Sequence, residues 1–111
     1  MAELIKNVEH EALFSPAGLV ELEPGRVNSV TLAQEPGCKV TVFAIPAGEG
    51  IGGHSAPGDA MPFVLEGTAE ITINGTPHTV PAGQAIVIPA GAPHAVKALA
   101  DMKMLLMVVK A

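Results

Sequence analysis

Short apolar segments separated by turn signals are the dominant pattern along the chain. The clearest segment, 69–74, alternates apolar and polar residues, which is the period of a half-buried β-strand. The Asn74-Gly75 pair that ends it tolerates positive φ angles and strongly favours a hairpin. Segments rich in Val, Ile and Thr predict seven strands, at 27–33, 39–45, 62–65, 69–73, 85–88, 94–98 and 103–109.

Glycine and proline divide the chain so finely that no long helix is expected. There are 12 Gly and 10 Pro, and three Pro-Ala-Gly triplets each end a strand and begin a turn. A short helical turn at 8–14 is the only helix predicted. This pattern favours an all-β sandwich or closed barrel. A length of 111 residues fits one domain over 1–111, with 1–18 as an N-terminal extension or edge segment.

Composition bears on the partners of the protein. Apolar residues make up 49% of the chain and charged residues 15%, against about 25% charged in a typical domain. Because this leaves apolar surface to cover, we expect a homodimer; the alternative is a monomer with many surface Ala, Gly and Pro residues. The net charge is −5, and Tyr and Trp are absent, so the chain lacks the groups that bind nucleic acid.

The sequence predicts neither a targeting signal nor a reactive or disulfide-bonded cysteine. The chain starts Met-Ala-Glu-Leu, which does not resemble a signal peptide, and its longest apolar run, 104–109, is too short to cross a bilayer. Cys38 is the only cysteine, so no intrachain disulfide forms, and we interpret it as a small core or interface residue. We therefore expect a cytoplasmic protein with no membrane partner.

Two of the four histidines are candidates for chemistry. His54 and His94 follow Gly- and Pro-rich turns on separate predicted strands, and two such imidazoles can meet inside a barrel. Neutral imidazole is a common metal ligand, but zinc sites usually have three or four protein ligands. We interpret His10 and His78 as solvated residues.

Residues 48–98 resemble the two sequence motifs of the cupin superfamily. The residues that match these motifs are Gly48, His54 and Gly67 in the first and Gly83, Pro89, Gly91 and His94 in the second. The resemblance covers about half of the chain. It implies a single cupin β-barrel domain of the small conserved-barrel type, that is, an antiparallel, jelly-roll-like double-stranded β-helix.

The chain departs from the metal-binding members of that family, which have three His and one Glu as ligands. The resemblance carries over His54 and His94 as the first and last ligands. Ala56 and Ala60 stand where the second His and the Glu are expected, and alanine offers no lone pair. The resemblance therefore implies either one weakly held divalent transition metal (Fe, Mn, Ni, Zn or Cu) or no metal.

Three interpretations of the pocket remain open. In the first, the two imidazoles hold a metal whose coordination is completed by water, substrate or a further donor such as Glu49 or His78. In the second, they bind a small anionic or carbonyl-bearing ligand without a metal. Alternatively, they are only structural, and the chain acts through its surface.

The resemblance implies a cupin-fold protein that binds a small molecule in a pocket at His54 and His94, with or without a weakly held divalent metal. Met61 and Phe63 lie on the strand between the motifs and are predicted to line this pocket. The alternative is a metal-dependent enzyme of the oxygenase, isomerase, decarboxylase or lyase type, and whether the chain is an enzyme stays open.

Overall fold

Two four-stranded antiparallel sheets form the fold in the computed structural model, which describes residues 3–111 except for the side chain of His54. The strands are β1 (Asn28–Glu35), β2 (Cys38–Ile45), β3 (Gly50–His54), β4 (Asp59–Glu66), β5 (Thr68–Ile73), β6 (Thr76–Pro81), β7 (His94–Ala98) and β8 (Met102–Val109). The first sheet has the order β1-β2-β8-β4, and the second has the order β3-β7-β5-β6. A 3₁₀ turn, Pro16–Leu19, precedes β1. This is the all-β, jelly-roll-like arrangement that the sequence predicts.

The main core lies between the two sheets. Alternate residues of β5 and β8 point into it, and Ala69, Ile71, Met102 and Met104 have no exposed surface. Residues from both sheets form one contiguous cluster there. The strict period of two in β5 therefore predicted the buried face of that strand correctly.

A second apolar cluster lies on the outer face of the first sheet. Val20, Leu32, Val42 and Ala44 are buried there, beneath the N-terminal segment, and the backbone N–H of Lys6 donates a 2.7 Å hydrogen bond to the Leu32 carbonyl. Because this sheet is covered on both faces, β2 and β8 are apolar at nearly every position.

Six of the seven predicted strands are confirmed, with ends that differ by a few residues. The segment 85–88 instead runs along the edge of β4 through isolated bridges, with the Ala60 N–H donating to the Ile88 carbonyl at 2.9 Å. This contact gives β4, the edge strand of the first sheet, a partner on its outer side. Strands β3 and β6 were not predicted.

The helical turn predicted at 8–14 is wrong. Asn7 and Glu11 adopt positive φ angles of 66° and 60°, which are incompatible with a right-handed helix. The segment is an irregular stretch laid over the first sheet. No helix within residues 3–111 has the length and apolar character needed to cross a membrane.

Substitutions at Gly67 and Gly75 allow the cost of an unfavourable backbone angle to be distinguished from the cost of a steric clash. Gly67 and Gly75 have φ angles of 77° and 83°, but a Cβ on Gly67 would lie 2.2 Å from the Asp101 carbonyl oxygen, whereas one on Gly75 would meet nothing within 4 Å. We expect Gly75→Ala to lower the free energy of unfolding by about 1–2 kcal/mol. Gly67→Ala should lower it clearly more, because backbone must also move. Urea denaturation of both variants measures the difference, and equal losses would contradict the clash.

Candidate functional site

A cavity of about 230 Å³ opens between the sheets at the end of the barrel where β2 begins and β8 ends. Its walls are mostly aliphatic and come from both sheets. The lining residues are Lys39, Thr41, Phe43, Ile51, Pro62, Ile88, His94, Val96, Met104, Leu106 and Val108. The cavity therefore has an apolar body with three polar side chains.

His94 is the best-defined polar group in the cavity. It is the first residue of β7 and only 7% exposed. Its Nδ1 lies 3.1 Å from the Ala92 carbonyl oxygen, which can only accept a hydrogen bond, so Nδ1 carries the proton. In the neutral ring the lone pair is then on Nε2. A backbone carbonyl that fixes the tautomer in this way is typical of histidines that bind metals.

Strand β3 places the backbone of His54 directly opposite His94. The two residues are cross-strand partners, and between the Ile51–Val96 pair and this pair β3 contains one extra residue, a β-bulge, a feature often found beside active sites. The two backbones are therefore neighbours, and the convergence of the two imidazoles stays a prediction. The predicted role of the His54 side chain lies outside the described part of the structure.

Gly50 allows β3 to approach β7 closely. A Cβ at this position would lie 2.2 Å from the Val96 carbonyl oxygen, so a larger residue would separate the strands. The glycine at position 50 before His54 thus has a structural reason. Because glycine is unfavourable within strands, the sequence did not predict β3.

The two alanines at the missing ligand positions have different surroundings. Ala60 is 2% exposed in the main core, whereas Ala56 is half-buried at the rim, beside Lys39. The additional donors considered above, Glu49 and His78, are not among the residues that line the cavity. Within the described residues, no group of three or more His, Cys, Asp or Glu side chains is arranged to hold a metal.

Met61 and Phe63, predicted to line the pocket, are not among its lining residues. In β4 the buried residues are Ala60, Pro62 and Val64, and the side chain of Phe63 is 37% exposed. Both faces of this strand carry apolar residues, so alternation does not distinguish the inner face, and the smaller Ala60, Pro62 and Val64 are the residues that point inward.

Lys39 and Thr41 are cavity residues that sequence reasoning missed. Thr41 is 6% exposed, and both residues share the inward face of β2 with Phe43. Alternation in β2 would assign Lys39 and Thr41 to solvent, opposite the apolar Val40 and Val42. What could have identified them is that they share a face with Phe43.

Exposed apolar side chains remain on the described surface. Leu13 is fully exposed, Phe14 is 48% exposed, and Phe63 is 37% exposed. They are compatible with the homodimer expected from composition, which stays a prediction.

Comparison with known proteins places the chain among the cupins. The sequence profile described as a cupin domain matches residues 41–110. A conserved protein of unknown function from Streptococcus pyogenes has 44% identity over 99% of this chain and 96% of its own, with a TM-score of 0.96. No curated protein matches the chain.

Two further solved structures agree. A cupin superfamily protein from Desulfitobacterium hafniense is 26% identical over 96% of this chain and 98% of its own, with a TM-score of 0.91. A conserved-barrel cupin from Leptotrichia buccalis is 39% identical over 85% of this chain but only 46% of its own, with a TM-score of 0.82. The chain belongs to the cupin family.

Restoring the missing ligands tests whether the two histidines converge. Ala60→Glu alone should lower the free energy of unfolding by about 2 kcal/mol or more, because it buries a carboxylate in the core. In the Ala56→His/Ala60→Glu variant, Ni²⁺ should raise the melting temperature, since a ligand that binds only the folded state stabilises it.

The exposed Ala100→Glu variant is the control for added charge, and calorimetric titration with Ni²⁺ measures affinity directly. If the double variant gains no nickel affinity over the wild type, His54 and His94 do not form one ligand pair.

Proposed function

We propose that the barrel cavity binds a small, largely apolar molecule by its polar end. The observation that carries the proposal is a cavity of about 230 Å³ with aliphatic walls and only three polar lining side chains. Binding sites of drug-sized ligands occupy about 300–1,000 Å³. The ligand is therefore a metabolite smaller than a typical drug.

The polar groups would orient the ligand. His94 and Thr41 are both nearly buried, so a hydrogen bond that either makes to the ligand would be shielded from water. Binding is favoured over turnover because the described lining residues include neither a carboxylate nor a thiol, the usual partners of histidine in acid–base or nucleophilic catalysis.

This site lacks two of the four side-chain ligands that hold the metal in metal-binding cupins. Ala56 and Ala60 supply no donor, and a divalent ion would have at most the imidazoles of His54 and His94 as protein ligands. The tautomer of His94 suits metal binding, but two ligands would hold an ion weakly.

Narrowing the cavity tests the binding proposal. Val108 lines the cavity, whereas its neighbour Val109 does not and is 51% exposed. With benzamide as a neutral probe, we expect Val108→Phe to weaken binding about tenfold or more, because the ring fills space that the ligand needs, at a folding cost of about 1–3 kcal/mol.

Val109→Phe is the matched control and should bind as the wild type does. Titration followed by the methyl resonances of Met104 and Val96 gives the dissociation constants. If benzamide leaves these resonances unchanged in the wild type, the proposed function is wrong.

Metal analysis tests the two-imidazole site. For protein purified without a metal-affinity tag, we expect well under one equivalent of Fe, Mn, Ni, Zn or Cu by elemental analysis. Added Ni²⁺ or Zn²⁺ should bind with a dissociation constant in the micromolar range or weaker, and His54→Ala/His94→Ala should abolish that binding. A full equivalent retained through purification would show that further ligands exist.

A further inference from the structure

Lys39 is a cation at the mouth of the cavity. It lies on β2 with its Cα opposite Val108 of β8, and both residues line the cavity. Its side chain is exposed, as expected when the aliphatic stem of a lysine packs along an apolar wall and the ammonium group reaches water. The stem therefore belongs to the apolar wall, while the charge lies at the entrance.

No described residue forms an ion pair with the ammonium group of Lys39. Among the described residues, the ion pairs are His10–Glu3 and Arg26–Glu23, and no hydrogen bond of the Lys39 side chain is found. Its charge is thus available to a bound molecule.

Lys39 is the only Lys, Arg, Asp or Glu among the described residues that line the cavity. The depression next to the mouth adds Glu35 and Lys110. Asp59, opposite Val109 of β8, adds a second carboxylate that accepts a 2.9 Å hydrogen bond from the Ala90 backbone N–H. These four side chains carry two positive and two negative charges, so the rim as a whole does not select anions. Selectivity for an anion therefore depends on the position of Lys39 in the cavity lining.

Within the described cavity lining, no carboxylate opposes the positive charge of Lys39. Ala60 stands where metal-binding cupins have a glutamate, and none of the described lining residues carries a negative charge. A bound anion would meet Lys39 at the entrance and the buried Thr41 further in. The ammonium group and the hydroxyl can both donate hydrogen bonds to it.

From this arrangement we infer that the cavity selects small apolar carboxylates, with Lys39 as the residue that recognises the carboxylate. The inference rests on the proposed function and adds to it the charge of the ligand. Charge-assisted hydrogen bonds are about twice as strong as neutral ones, but the exposure of Lys39 means that water and salt screen part of the gain.

Benzoate and benzamide have nearly the same shape and differ in charge, so they serve as the test pair. For the wild type we expect benzoate to bind about threefold to tenfold more tightly than benzamide. Salt at about 0.5 M should reduce this preference. Lys39→Met should bind the two probes equally, and Lys39→Arg should retain the preference for benzoate.

Lys97→Met is the matched control, because Lys97 is an exposed residue of β7 that does not line the cavity. Dissociation constants come from titrations followed by the Met104 and Val96 methyl resonances. Equal binding of both probes by the wild type, or a benzoate preference that survives Lys39→Met, would overturn the inference and leave the proposed function intact. Failure of both probes to bind would overturn the proposed function as well.

Discussion

Burial of both faces of the first sheet is the constraint on which the rest of the structure depends. Its inner face supplies Met102 and Met104 to the main core, and its outer face buries Val42 and Ala44 beneath the N-terminal segment. An all-apolar strand in an antiparallel sheet is stable only when a second layer covers it. The described part of the N-terminal segment, including Val8, therefore belongs to the packing of the barrel.

Whether a strand is covered on one face or on both also determines whether the sequence could predict its buried face. Where one face of a strand is polar, as in β5, alternation predicted the buried residues Ala69 and Ile71 correctly. In β4 both faces are apolar, so Met61 and Phe63 were assigned to the cavity although the structure turns Pro62 inward. The choice between the faces depends on pairing with β8 and on the edge contact with 85–88, and both are long-range contacts.

In the candidate site, too, local sequence motifs predicted some features, and long-range packing determined the others. Glycine and proline at fixed spacing identified the cupin motifs and therefore the neighbourhood of His54 and His94. The hydrogen bond from His94 to Ala92 is also local, since it joins residues two apart in the chain, whereas the entry of Lys39 into the cavity follows from how the sheets face one another. Lys39 belongs to neither motif, and only the position of its strand beside β8 brings it to the mouth.

The replacement of ligand residues by alanine has physical consequences beyond the loss of a metal centre. A carboxylate inside a cavity disfavours anions unless a metal neutralises it, because a like charge in a low-dielectric site is strongly repelled. Once that carboxylate is absent, Lys39 and Thr41 remain in the cavity lining as donors towards an anion. Ala60 is packed in the main core and adds no charge beside the cavity. The same alanine that weakens metal binding therefore also removes the carboxylate that would repel an apolar anion.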